Sequence, residues 1–359
     1  MVMLARELQI FLLNKPGEMR MKTLSIIIPT YNTLKIYFQK CLLSLLCEQQ
    51  NEIEIIIVDD GSQEQYSGEI KKEIENSLLN IKYYKKKNGG QNSAREYGLA
   101  RATGKYVFFM DADDYVDSNA LDRIISLLKK HKPIILAFNY DVRTPDGNII
   151  EEHNRWKGEY KKANVTRGLL YSDSLCLQIY DRDVFCKSGI HLVQGVRIGE
   201  DMATATAFLA TIGTEYSTDE CLYHYIKHPG SALSNPSEES ALDMLQAFEA
   251  MLKQLDISVQ TKYYAEFEWL AILHILYYNT MRVLTNYRGN VEYIKAIEVW
   301  MNENFPNWRK NSYLKTESIA KKWMFVLIKN GHTKLLFDLE EAKKKIKIIL
   351  GKVSRKTIK

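Results

Sequence analysis

Hydrophobic positions gather in short blocks along the first 140 residues, each closed by polar or turn-forming residues. LSIIIP (24–29) and IEIIIV (53–58) are continuous apolar runs, one ending at Pro29 and the other at Asp59-Asp60-Gly61-Ser62. Runs of this length suit strands buried on both faces. IKYY (81–84), YVFFM (106–110) and IILAF (134–138) extend the series. Between them the pattern turns helical. Ile36, Leu42, Leu43 and Leu46 recur at helical spacing within 34–47, a polar helix is expected over about 67–79, QNSAREYGLARATG (91–104) stops at a glycine, and 118–131 forms the last of the set. Strand and helix in alternation predict an α/β fold, a mostly parallel sheet with helices on both faces.

Residues 139–235 are less regular, with turns at TPDGN (144–148) and HPGS (228–231). Beyond Pro236, Leu242, Leu245, Phe248, Leu252 and Leu255 return at helical intervals, and large apolar and aromatic residues at 263–278 continue as a helix core. The expected organisation is an N-terminal extension (1–20), an α/β domain (21–235), a helical C-terminal region (236–340) and a basic tail (341–359). Within the α/β domain a nucleotide-binding half would cover 21–125 and an acceptor half 126–235.

Polar clusters stand at the ends of the predicted strands. Pro29-Thr30-Tyr31-Asn32 follows the first, Asp59-Asp60 the second, and Asp111, Asp113 and Asp114 the fourth. In a parallel sheet all three fall on the edge where ligands bind. Crowded carboxylates repel, and a cation relieves that repulsion, so the third cluster suggests a metal site. Asp114, just before the next helical pattern, is expected to cap that helix. No G-x-G-x-x-G follows the first strand, which argues against a nicotinamide enzyme.

The net charge of +5 is concentrated in the tail: residues 341–359 hold seven Lys and one Arg against Glu341. Subtracting that +7 leaves −2 on the other 340 residues, a balance that argues against a nucleic-acid binder. The five cysteines form no C-x-x-C pair and are read as reduced thiols of a cytosolic protein, without a zinc framework.

SIIIPTYN, IIIVDDGS, NGGQNSAREYGLARATGKYVFFMDADDY, GED (199–201) and YHYIKHPGSALS (223–234) occur in the order found in inverting, nucleotide-sugar-dependent family-2 glycosyltransferases of the GT-A fold, which residues 23–235 resemble. The resemblance implies that Asp111-Ala112-Asp113 is a D-x-D motif for Mg²⁺ or Mn²⁺, with Asp113 a direct ligand and Asp111 a ribose or metal contact. It implies that Asp59 or Asp60 reads the base of a UDP-sugar, with Pro29, Tyr31 and Asn32 lining the nucleotide pocket. Arg95 lies one turn into a helix behind a glycine-rich loop, and either binds the nucleotide or holds Asp111. Lys85–Lys87 is read as a solvated hairpin tip. Glu200-Asp201 resembles the motif supplying the catalytic base, with Asp201 the base and Glu200 orienting it or touching the acceptor. His228 resembles a metal or phosphate contact, whereas His224 reads as a strand residue with an ordinary hydrogen bond. The acceptor would be a glycan or lipid-linked saccharide at the cytoplasmic face of a cell membrane. A sugar nucleotidyltransferase is the rival enzyme, but PTYN lacks the glycine-rich basic loop it needs. A catalytically silent nucleotide-sugar binder is the rival of another class.

The tail interleaves Ile346, Ile348, Ile349, Leu350 and Val353 with its basic residues, so it is expected to attach to an anionic membrane surface. Each basic residue near such a surface contributes about 1 kcal/mol. Flotation with anionic liposomes should recover the full chain at low salt and lose it at high salt. Equal recovery of a chain ending at Glu340 would exclude the tail.

Overall fold

The computed structural model describes residues 21–158, 160–171, 174–230, 237–287, 290–316, 325–328, 331–332, 335 and 337–339. The N-terminal extension and the basic tail therefore lie outside the described residues. The chain divides into two compact units between Ser231 and Ala232.

The first unit is built on one ten-stranded sheet. Its strands are β1 (Leu24–Thr30), β2 (Ile53–Asp59), β3 (Ile81–Lys85), β4 (Tyr106–Phe109), β5 (Tyr115–Val116), β6 (Ile135–Arg143), β7 (Ile149–His153), β8 (Lys161–Lys162), β9 (Gln178–Asp181) and β10 (Tyr216–Ile226). The order is β3-β2-β1-β4-β9-β6-β10-β5, with β7 beside β6 and β8 beside β10. β1, β2, β3, β4, β6 and β10 run one way and the other four run against them. The mostly parallel sheet expected from the apolar runs is present. The 139–177 and 178–230 stretches add antiparallel strands that no apolar run announced.

Both faces of β1 are buried, and they pack against different helices. Leu24, Ile26 and Ile28 join Phe38, Cys41 and Leu42 of α1 (Lys35–Ser44), Ile70 of α2 (Glu64–Asn76), and Leu121 and Ile124 of α4 (Ala120–His131). On the other face α3 (Gln91–Leu99) lies so close that a Cβ on Gly98 would come within 2.5 Å of Ile27. Phe109 and Tyr180 on that face meet Phe185 of α6 (Arg182–Lys187) and Phe208 of α7 (Glu200–Ile212), with ring centroids 4.7–6.1 Å apart. Continuous apolar runs were needed because each strand supplies two cores.

In α1 the buried residues are Phe38, Cys41 and Leu42, and Leu45 just after it completes the i, i+3, i+4, i+7 set. Of the four residues that suggested this helix, Leu42 alone is buried; Ile36, Leu43 and Leu46 are exposed. The opposite edge of the sheet is held by Glu54, whose Oε1 accepts from Ser25 Oγ, Thr103 N and Gly104 N at 2.5–3.0 Å and whose Oε2 accepts from Lys82 Nζ at 2.8 Å. Burial alone would raise its pKa, but those bonds outweigh it and hold the group at about 2.

The second unit is helical: α8 (Asp243–Lys253), α9 (Ile257–Lys262), α10 (Tyr264–Ala271), a π-helical segment (Ile272–Asn279), α11 (Thr280–Asn286) and α12 (Val291–Asn304). Leu245, Phe248 and Leu255 are buried in it, as are Tyr263, Phe267 and Trp269. Among the described residues no helix is long and apolar enough to cross a membrane.

Glu215, just ahead of β10, is fully buried against Gly168 of α5 (Val165–Leu170). Its Oε1 accepts from Gln178 Nε2 at 3.1 Å, and its Oε2 has no hydrogen-bond partner among the described residues. Burial pushes its pKa up from 4.5 to about 8. The folded value lies above the unfolded one, so its contribution to stability is complete below pH 4.5 and is lost as the pH rises through about 8. Glu215→Gln removes this titration. Thermal unfolding at pH 5 and pH 8.5 should show the variant gaining on the parent as the pH rises; a constant difference would mean the group does not titrate in that window.

Candidate active site

The carboxyl ends of β1, β2 and β4 lie side by side, since β1 pairs with both others in parallel. The polar residues that follow these strands therefore gather on one edge, and α7 brings Glu200 and Asp201 to the same place. The link is Arg95 on α3. Its side chain is fully buried, with Nη2 donating to Asp111 Oδ1 at 2.7 Å and Nη1 contacting Asp201 Oδ1. Asn92 Oδ1 accepts from Nη1 at 2.8 Å, and Gln91 Nε2 adds a second bond to Asp111 Oδ1 at 2.7 Å. One guanidinium thus joins the end of β4 to the start of α7, 106 residues from itself in sequence.

Burial raises the pKa of Asp111, Arg95 opposes that rise, and the charges of Asp201 and Asp113 add to it, leaving the carboxyl at about 6. Glu200 is buried at the first position of α7 behind Gly199, and burial, together with Asp201, pushes it up to about 8 despite Arg95. Asp201 is more open; its Oδ2 lies 3.4 Å from Ser174 Oγ. The two acids of the GED motif thereby stand in different surroundings: burial favours the neutral form of Glu200, whereas Asp201 is more open and meets a guanidinium.

Asp113 is bonded to His228, with Nε2 2.8 Å from Oδ2. A backbone N–H can only donate, so the Gly230 N–H at 3.2 Å makes His228 Nδ1 an acceptor and leaves the proton on Nε2. His228 here donates to Asp113, and coordination of a metal by that nitrogen requires the other tautomer. Its ring stacks on Tyr37, with centroids 4.4 Å apart.

Asp114 does not cap α4, which begins at Ala120 behind Asn119. It is buried and fastens β10, accepting from Tyr223 Oη at 2.6 Å and from Ile226 N at 2.7 Å. Five residues separate it from the helix, too far for a capping bond, and the sheet supplies better donors. Its pKa is raised, first by burial and then by Asp113 and Asp111.

Asp59 is enclosed: Ser62 N donates to Oδ1 at 2.7 Å, and Ser67 Oγ and Tyr83 Oη donate to Oδ2 at 2.5 and 2.7 Å. Asp60 takes Lys86 Nζ at 2.7 Å and the Gly89 and Gly90 N–H groups at 2.8–3.1 Å. The amides of the glycine-rich loop are therefore spent on Asp60, and Lys86 is half-buried in an ion pair, not solvated at a hairpin tip. Gly61 has a φ of +81°, and a Cβ there would come within 2.8 Å of Asn88 N. Pro29 is buried in β1, Tyr31 is exposed, and Asn32 ties its turn to the next by accepting from Gln63 N and donating its own N–H to Ser62 Oγ, both at 2.9 Å.

Residues 25–189 match the model of "Glycosyl transferase family 2". This chain carries a family-2 glycosyltransferase domain. The chain is 28% identical over 232 residues to the uncharacterized glycosyltransferase EpsJ of Bacillus subtilis (strain 168), covering 62% of this chain and 66% of that one. To glycosyltransferase GlyA of Streptococcus pneumoniae it is 34% identical over 162 residues, 44% of this chain and 20% of the relative's length. The crystal structure of S. aureus TarS 1-349 in complex with UDP-GlcNAc superposes with a TM-score of 0.68 at 18% identity, covering 90% of this chain and 92% of that one. That likeness extends the shared fold through the helical unit.

The sequence missed Gln91, Asn92, Ser174, Tyr223 and Tyr37. Tyr223 stood within a quoted segment, but only the paired geometry of β5 and β10 gives it Asp114; Tyr37 carried no signal. Arg95→Met should leave two facing carboxylates uncompensated. Losing one member of a buried pair costs roughly 3–5 kcal/mol, here toward the lower end because both acids keep some exposure. Urea unfolding should show Asp111→Asn recovering part of that loss in the double variant; additive losses would mean that the guanidinium does not bridge the two.

Proposed function

We propose that this chain is an inverting, metal-dependent glycosyltransferase that moves a sugar from a UDP-linked donor to a hydroxyl of a cell-surface glycan or lipid-linked saccharide. The observation that carries the reading is the single buried Arg95 holding Asp111, at the donor edge, against Asp201, at the acceptor edge. A nucleotide-sugar donor is supported by the fold shared with TarS, whose crystals hold UDP-GlcNAc and UDP. A cell-surface acceptor is supported by similarity to the minor teichoic acid biosynthesis protein GgaB and to the poly(ribitol-phosphate) beta-N-acetylglucosaminyltransferase TarS.

Asp201 is the base. Arg95 takes one of its oxygens, leaving Oδ2 to receive the proton of the acceptor hydroxyl as that oxygen attacks C1 opposite the nucleotide. The new C–O bond forms, the bond from C1 to the diphosphate breaks, and the proton rests on Asp201. Glu200, held neutral near pH 7, adds no competing charge and shapes the start of α7. Asp111 and Asp113 offer hard carboxylate oxygens at one strand end, a donor set that fits Mg²⁺ or Mn²⁺. When bound, such an ion stabilises the negative charge of the departing diphosphate. Arg95 meanwhile keeps Asp111 from turning away and fixes its spacing to the base. Asp59 or Asp60, at the end of β2, would face the base of the nucleotide.

A paired measurement tests these roles. Asp113→Asn should abolish transfer and the metal dependence of UDP binding in calorimetry, because an amide is a poor ligand for a hard cation. Asp201→Asn should keep UDP and metal affinity but lose about 10²- to 10⁴-fold in single-turnover transfer. If Asp201→Asn loses UDP affinity as severely as Asp113→Asn, or turns over at the parental rate, Asp201 is not the base and Glu200 takes its place.

A further inference from the structure

The stretch that leads to Asp201 carries a second cluster of charge. Ser174, whose Oγ lies 3.4 Å from Asp201 Oδ2, is three residues from Tyr171 at the end of α5. Three residues span at most about 11 Å, so the Tyr171 ring belongs to the surroundings of that carboxylate. α5 is also packed on α7 itself, since a Cβ on Gly168 would come within 2.9 Å of Leu209. Two guanidiniums flank the ring. Arg155 lies 5.4 Å and Arg167 5.5 Å from its centroid, and Arg155 lies 5.0 Å from the ring of Tyr140 on β6 as well.

The contacts that fix these two side chains are to neutral oxygens. Arg155 Nη1 donates to Tyr171 O at 2.7 Å and Nη2 to Tyr140 Oη at 3.0 Å, while Arg167 Nη2 donates to Arg155 O at 2.5 Å. Trp156 N donates to Asn139 Oδ1 at 2.8 Å, which anchors the Arg155 backbone to β6. Arg167 and Tyr171 are exposed. Two like charges are thus held beside one exposed ring, an arrangement that an anion would stabilise. We infer that Arg155, Arg167 and Tyr171 form an acceptor subsite for a polyol or saccharide chain that carries phosphodiester groups and presents a hydroxyl to Asp201. The inference rests on the reading of Asp201 as the base. A guanidinium offers its N–H donors in a planar fork that matches phosphate oxygens. The two free oxygens of a phosphodiester diverge from one phosphorus, so a single group can accept from both arginines. The exposed part of the Tyr171 ring takes the carbon chain beside it. Gripping the acceptor away from its reacting hydroxyl places that hydroxyl at the base and leaves Asp201 Oδ2 unoccupied by the grip.

The test measures binding of poly(glycerol phosphate) to the full chain by calorimetry, with and without UDP, beside dextran and polygalacturonate as uncharged and carboxylate controls. The phosphodiester polymer should bind, dextran should not, and the affinity should fall as salt is raised. Arg167 is exposed, so Arg167→Glu leaves the fold intact; it should weaken binding roughly tenfold or more, with a smaller loss in Arg167→Gln. Lys130→Gln, which removes an exposed cation at the end of α4, should leave the affinity unchanged. No binding by the parent in either condition overturns the subsite. So does parental affinity in Arg167→Glu, an equal loss in Lys130→Gln, or polygalacturonate bound as tightly as the phosphodiester polymer. Vesicles of anionic phospholipid form a further arm: binding of vesicles and not of polymer through Arg167 would assign the surface to a membrane and overturn the subsite. Asp201→Asn should bind the polymer as the parent does, so a failure of the base assignment, read in turnover, stays distinct from a failure of the subsite, read in binding.

Discussion

A guanidinium withdrawn from water needs partners for its charge, and Arg95 finds Asp111, Asp201 and Asn92 at its two terminal nitrogens, while Nε has no hydrogen-bond partner among the described residues. The partners come from different parts of the chain, so the charge can be satisfied only when α3, β4 and α7 are all in place. The cost of burying it makes the end of β4 and the start of α7 a single construction. Were Arg95 exposed, the same ion pairs would be screened and worth little, and the two carboxylates would be free to drift apart.

That dependence explains what was legible in the sequence. β1, β2 and β4 are apolar on both faces, a pattern that reads directly as buried parallel strand, and the acids that end them fall on the ligand edge by the rules of such sheets. The antiparallel additions were not legible. β7 is largely exposed, β8 is two lysines, and β9 is four residues whose place between β4 and β6 depends on strands over thirty residues upstream. The face of α1 was misread because the helix is apolar nearly all round, so periodicity alone does not say which side turns inward.

Within the site the residue types were legible and their partners were not. Asp114 looked like a helix cap because capping is local, but the donors that claim it come from β10, more than a hundred residues away. The glycine-rich loop ahead of Arg95 gave no sign of its partner: the Gly89 and Gly90 amides surround Asp60, a carboxylate of the chain itself. Glu200 and Asp201 are adjacent and chemically alike, yet one is buried and the other reaches the guanidinium of Arg95, a difference set by the depth of each side chain in the fold.

Asp113 and Asp114 have opposite fates: one reaches the edge and meets His228, while the other turns inward and grips Ile226 and Tyr223. Two neighbouring carboxylates thus seize two points of one segment, spaced two residues apart, like the jaws of a gauge. The distance from the end of β10 to the ring stacked on Tyr37 is metered by these jaws more than by the loop itself. For anyone grafting a foreign loop onto this scaffold, the interval 226–228 is therefore a fixed dimension, and free design begins only after it.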